Sequence, residues 1–208
     1  MGKFIKYGII LIVVALLVYN SIYIKKLSEI NQSASGKFDA TTFTKKLWEE
    51  KLPSKLDSAI AITSLKKMIE TDAVAAFAKH TNAMAIGNYR YALIKGTAVV
   101  NEINVDDILI TMQADQPFKA LLLTEFIYGN TLRDASTLVD LKEFPNTSEL
   151  NLVSEEFNKR IRGNVIPAFK SLVKPGNKIE FTGAVELNKE HIRFDNIEIV
   201  PVRVKILP

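Results

Sequence analysis

The distribution of apolar positions changes three times along the chain, and each change predicts a different kind of structure. From Phe4 to Ile24 nearly every residue is apolar, with the run Ile9-Ile-Leu-Ile-Val-Val-Ala-Leu-Leu-Val18 at its centre and one charge, Lys6, near its start. A helix needs about 20 such residues to cross a bilayer core, and a lysine close to its end reaches the interface with its long side chain. Residues 1–26 are therefore read as a transmembrane anchor, with Phe4, Ile9, Leu11, Leu16, Val18 and Ile24 among its apolar residues. Residues 27–37 are small and polar, the composition of a flexible linker.

From residue 38 to 82 the apolar period becomes helical. Asp39 caps a helix with Phe43, Leu47, Trp48 and Leu52 on one face, and Pro53 marks a break that permits a new first turn. Thr63 reads as a second cap, ahead of Leu65, Met68 and Ile69. Asp72 opens a short alanine-rich helix from Ala73 to Lys79.

From 83 to 208 the period becomes two. Tyr89 to Val100 predicts a long strand with Gly96 inside it, the mark of a bulge or sharp coil. Ile108, Ile110 and Met112 alternate in a second strand, and Ala120 to Tyr128 forms a third that ends at Gly129-Asn130. A helix then runs from about Ser148, carrying Leu150, Val153, Phe157 and Ile161, and stops near Gly163, with Pro167 opening another turn or two. Ile179, Phe181, Val185 and Leu187 hold period two in a fourth strand, and Ile192 to Ile206 supplies the last strand or strand pair. Three strands, a helix and two strands is the order of an OB-like five-stranded β-barrel with a helix inserted between strands 3 and 4. The fold class is α+β: a transmembrane helix, a helical segment (38–82) packed on the barrel, and the barrel domain (83–208). A half-open sandwich with helices along one side is the competing arrangement.

Charge and cysteine content narrow the setting. Lys3 and Lys6 favour a cytoplasmic amino terminus and an exported remainder, with Lys25 and Lys26 arguing weakly the other way. Tyr19-Asn-Ser-Ile-Tyr-Ile-Lys-Lys26 lacks the small residues of a cleavage site, which favours an uncleaved anchor over a removed signal peptide. The expected location is the cytoplasmic membrane, as a single-pass protein with its C-terminal domain outside the cytoplasm. Four of the 27 Lys and Arg flank the apolar run, leaving 23 basic against 23 acidic residues for everything after Lys26. No basic stripe remains to meet a nucleic-acid backbone, so nucleic acid is not an expected partner. There is no cysteine, hence neither a disulfide framework nor a lipid-bearing thiol.

Several motifs together resemble a bacterial family. They are Phe38-Asp-Ala40, Leu47-Trp48 with Pro53, the Tyr91 to Val100 strand with Lys95-Gly96, Gly129-Asn-Thr-Leu-Arg-Asp-Ala135, Glu155-Glu-Phe-Asn158, Phe181-Thr-Gly183 and Pro201-Val-Arg203. Taken together they are similar to the predicted periplasmic lipoproteins of unknown function (domain of unknown function 2291). The Gly-x-x-Leu-Arg-Asp-Ala block is the most specific of them. The resemblance implies an extracytoplasmic accessory role near sugar uptake, with an ABC transporter component, a solute-binding protein or a saccharide as partner. This chain is a variant without the lipobox cysteine, so the transmembrane helix substitutes for the lipid.

Candidate chemistry is sparse. His80 and His191 are solitary, Asp106-Asp107 lacks the further oxygens a calcium ion needs, and no phosphate loop, nucleophile elbow or His-Glu-x-x-His is present. No metal, cofactor or catalysis is expected; an enzyme, a hydrolase with its site in the barrel rim, is the alternative. The segment Tyr128 to Ala135 reads in two ways. In the first it is a strand-end turn with Asp134 capping a short helix and Arg133 paired locally. In the second, Asn130, Thr131, Arg133 and Asp134 line a groove that recognises a saccharide or a partner loop, with Tyr89 and Tyr91 as a stacking face.

Overall fold

The computed structural model describes residues 38–208 together with Gly2 and Tyr7, so the expected anchor and linker lie outside the described residues. Among the described residues no helix is long and apolar enough to cross a membrane. The chain divides into two units, Met1–Phe38 and Asp39–Pro208, and the second holds all the helices and strands that follow.

Helix α1 (Ala40–Lys46) is capped by Asp39, whose carboxylate accepts from the Thr41 and Thr42 N–H groups at 3.0 and 3.1 Å. Pro53 was expected to break this helix, yet the chain stays helical. A π-helical turn, Leu47–Lys51, leads straight into α2 (Leu52–Asp57), with the Leu52 N–H bonded to the Leu47 carbonyl. Proline lacks an N–H and its ring crowds the carbonyl four residues earlier, and a wider turn just before it relieves both problems. The same device recurs later. Helix α6 (Thr147–Arg160) does not stop at Gly163 but passes through a π turn, Ile161–Val165, into α7 (Ile166–Lys170), whose first turn contains Pro167.

Two further helices lie between these halves. After a two-residue strand β1 (Ile60–Ala61), helix α3 (Ile62–Thr71) starts without a side-chain cap, so Thr63 sits inside the first turn rather than before it. Ile62, Leu65 and Ile69 are buried while Met68 lies outside their stripe and is 42% exposed. Asp72 ends α3 and caps α4 (Ala73–His80) through the Ala75 N–H at 3.0 Å.

The strands are β2 (Tyr89–Ile103), β3 (Asp107–Met112), β4 (Lys119–Leu123), β5 (Lys178–Asn188) and β6 (Ile197–Ile206). They hydrogen-bond in the order β1-β2-β3-β4-β6-β5, and β2 also pairs with β5 from Tyr89 to Val99. That pairing closes a five-stranded barrel and rules out the half-open sandwich. β1 is an addition that the sequence pattern did not reveal; it lies parallel to β2 at Ile94 and Lys95.

β2 serves the barrel twice. Tyr89 to Val99 pair with β5 and Ala98 to Ile103 pair with β3, so the strand must coil near Gly96, where it passes from one neighbour to the other. A Cβ at Gly96 would stand 2.7 Å from Met112 Cε and 3.3 Å from Phe181 Cζ, which is why glycine holds the inner side of the bend. Ile94, Ala98, Val100, Ile108, Ile110, Met112, Ala120 and Leu122 meet Ile179, Phe181, Val185 and Leu187 in one core, and Ile62, Leu65 and Ile69 of α3 join it.

Two strand boundaries differ from expectation. β4 ends at Leu123 rather than Tyr128, because the Thr124 and Glu125 N–H groups both turn to the Asp106 carbonyl. Residues 189–196 form a loop, so the last segment is the single strand β6, beginning at Ile197. The connection from β4 to β5 holds α5 (Thr131–Ser136), a 3-10 turn (Leu141–Glu143) and α6. Helix α6 begins at Thr147, close to the expected start at about Ser148, and is capped by Asn146, which accepts the Glu149 N–H at 2.9 Å.

Candidate functional site

The segment singled out in the sequence becomes α5, lying against β2 and β5 on one side and α6 on the other. Its cap position is Asn130, and Asp134 lies within the helix. Arg133 and Asp134 are 6% and 2% exposed. Burial of two charges is tolerated because they meet: Arg133 Nε donates to Asp134 Oδ1 at 2.6 Å, and the second carboxylate oxygen accepts from the Asn130 amide. The guanidinium also reaches α6 through Nη1, which donates to Ser154 Oγ at 3.0 Å and to the Leu150 carbonyl at 3.4 Å. Backbone groups are held in the same way. Asn82 Nδ2 donates to the Asp134 carbonyl at 2.8 Å and Asn158 Nδ2 to the Gly129 carbonyl at 2.9 Å.

Tyr91 belongs to this cluster and Tyr89 does not. Both lie on one side of β2, but Tyr91 is 9% exposed whereas Tyr89 is 53% exposed. Burial pushes the Tyr91 phenol above its ordinary value; the Asn130 side chain pulls it back, and the Glu186 and Asp134 carboxylates push it further up. Glu186 is the cross-strand partner of Tyr91 on β5. Thr131 is half-buried at the first helical position. The local-pair reading of Arg133 is thus what the geometry shows, with Asn130 rather than Asp134 at the cap.

A groove of about 640 Å³ opens between the start of α5 and the second half of α6, and Asn130 and Arg133 form part of its wall. The rest comes from Tyr128 and Gly129 at the start of the same segment and from residues not among the expected site residues: Asn151, Ser154, Glu155, Asn158 and Arg162. Tyr128 is 65% exposed, and the Arg162 guanidinium lies 5.0 Å from its ring centroid while donating to the Ile127 carbonyl. A signal for these residues was present. Asn151, Glu155, Asn158 and Arg162 recur at helical spacing beside the apolar stripe Leu150, Val153, Phe157 and Ile161, and a polar stripe on the flank of a buried one faces a cleft edge.

The chemistry of the wall is that of hydrogen bonding to a neutral or weakly charged polar molecule. Three carboxamides, a carboxylate and two guanidinium groups provide both donors and acceptors around one aromatic ring. Among the described residues no three His, Asp or Glu side chains converge as they would on a metal ion. His80 lies at the end of α4, and the exposed His191 is in the loop after β5.

Fold and groove together define an OB-fold protein whose long connection between the third and fourth barrel strands is built into a polar cleft. A solved OB-fold protein from Thermotoga maritima has the same architecture, with a TM-score of 0.72 and 23% identity over 82% of this chain and 99% of that one. The likeness shows the fold. No curated protein matches the chain. The chain belongs to the family described as "Predicted periplasmic lipoprotein (DUF2291)", whose profile matches residues 12–205.

Proposed function

We propose that this protein is an extracytoplasmic binding module, tethered at the cytoplasmic membrane by its apolar segment from Phe4 to Ile24, and that it takes a saccharide in the groove between α5 and α6. The observation that carries this is the composition of the groove wall: the planar groups of Asn151, Glu155, Asn158 and Arg162 beside the exposed ring of Tyr128. Sugar hydroxyls both donate and accept, so they are matched by side chains offering both, and the C–H face of a pyranose packs on an aromatic ring. Family membership supports the location outside the cytoplasm. An accessory role beside a sugar ABC transport system, with a transporter component or solute-binding protein as partner, follows from the resemblance and suits a sugar-binding groove.

No catalysis is proposed. Arg133, Asp134 and Asn130 are occupied with one another and serve to fix the groove's shape. The zero charge balance after Lys26 favours carbohydrate or protein over nucleic acid. Titrating the full-length protein with saccharides tests the ligand class, with Tyr128→Ala as the diagnostic variant. A reporter active only after export, fused at Pro208, tests the location, and an inactive fusion contradicts it.

A further inference from the structure

Helices α2, α4 and α5 all finish around a second cavity, of about 280 Å³, whose wall includes Lys55, Lys79, His80 and Thr137. Helix C-termini present unpaired carbonyls and favour cations, so basic residues there are expected without any ligand. The difference here is that hydroxyls have already taken carbonyls. Ser58 Oγ donates to the Lys55 carbonyl at 2.9 Å, Thr81 Oγ1 to that of Phe77 at 2.7 Å, and Ser136 Oγ to that of Arg133 at 2.8 Å.

The basic groups are left with donors to spare. Lys55 Nζ gives one N–H to Thr137 Oγ1 at 2.9 Å. Lys79 has no hydrogen bond or ion pair among the described residues. His80 Nε2 is buried without a partner. No carboxylate lines the cavity. Asp57 and Asp134, which adjoin lining residues in the chain, are paired elsewhere, with Arg203 at 2.9 Å and Arg133 at 2.6 Å.

We propose that this cavity binds a small phosphate-type oxyanion, either inorganic phosphate or the phosphate group of a short phosphomonoester. Two ammonium groups, Lys55 near the end of α2 and Lys79 near the end of α4, border the cavity beside the His80 ring, and a tetrahedral oxyanion accepts from several directions at once. The volume is at the lower edge of small-ligand pockets, enough for the anion with a short organic tail. The cavity shares no lining residue with the saccharide groove, although α5 contributes its first residues to one and its last to the other. The two proposals therefore stand or fall separately.

The test is calorimetric titration of the full-length protein in detergent with inorganic phosphate, glycerol 3-phosphate and acetate, repeated for Lys79→Ala and His80→Asn. Expected is saturable binding of phosphate, of the monoester or of both, not of acetate, weakened about tenfold or more by either substitution, the ratio equal to one charge-assisted hydrogen bond. The His80 ring nitrogen resonance, assigned with His191→Gln, should shift on phosphate addition. Phosphate preferred over its monoester identifies the free ion as the ligand, and the reverse order identifies an esterified one. Absence of binding at millimolar concentrations, equal binding of acetate, or affinity unchanged in both variants overturns the proposal.

Discussion

Arg133 Nε lies 2.6 Å from Asp134 Oδ1, joining two neighbours on one short helix into an ion pair that is almost wholly buried. Removing one member of such a pair leaves the other charge without compensation. Asp134→Ala should therefore cost about 3–5 kcal/mol in a urea titration. Arg133→Met combined with Asp134→Leu should cost clearly less than the two single changes added together, because neither charge then remains to be satisfied. Additive losses would show that the pair is not the organising contact of α5.

The two glycines of the barrel core make a contrast. At Gly183, beside the irregularity where β5 and β6 shift register, a Cβ would stand 2.5 Å from the Val200 carbonyl oxygen and 2.9 Å from Ile199 Cγ2. Backbone cannot move aside as a side chain can, so Gly183→Ala should destabilise by about 1–3 kcal/mol, the usual range for overpacking. Gly96→Ala meets the flexible end of Met112 first and should cost less. Phe181→Ala, which empties the core position opposite Gly96, should cost about 3–5 kcal/mol. Denaturation midpoints give all three, and a larger loss at Gly96 than at Gly183 would contradict the register.

Alkaline stability reports on Tyr91. Its folded-state pKa is raised by burial, so between the unfolded value near 10 and the higher folded value the native state holds a proton that the unfolded state has lost. Stability from this source is complete below pH 10 and falls as pH rises through the folded pKa. Tyr91→Phe should flatten that decline as pH rises above about 10 in urea midpoints. A decline equally steep in the variant would place the titrating group elsewhere.

These elements also show what sequence patterning reveals and what it hides. The barrel was legible because period two in Ile179, Phe181, Val185 and Leu187 reports directly on an inward face, and Gly96 inside an apolar strand reports on its coil. Asp39 and Asp72 were legible because capping is a local interaction. The continuation of two helices through Pro53 and Gly163 was not, since a π turn is a compromise between a proline's missing donor and apolar residues such as Leu47, Leu52, Ile161 and Ile166 that must stay on one buried face. β1 was hidden because two residues carry no period, and its existence depends on the exposed edge of β2.

For the site, the structure brings Asn130, Arg133, Asp134 and Tyr91 together, but neighbourhood in the sequence alone could not tell wall from framework. That Arg133 turns inward to Ser154 depends on the docking of α6, a helix some twenty residues further along the chain. The polar stripe from Asn151 to Arg162 completes the groove. It was visible in the spacing, and it gained meaning only when α5 was found opposite.

Saccharide binding by the groove is the central claim, and calorimetric titration of the full-length protein in lipid nanodiscs with a panel of mono- and oligosaccharides tests it most directly. The account predicts saturable binding of at least one saccharide, weakened about tenfold or more by Tyr128→Ala, the equivalent of about 1.4 kcal/mol and within the range of an aromatic stacking contact. The denaturation midpoint should barely change, since the ring is largely exposed. Asn151→Ala, also on the exposed wall, should weaken binding without unfolding the domain. No saccharide bound at millimolar concentration, or an affinity that neither substitution alters, would contradict the account.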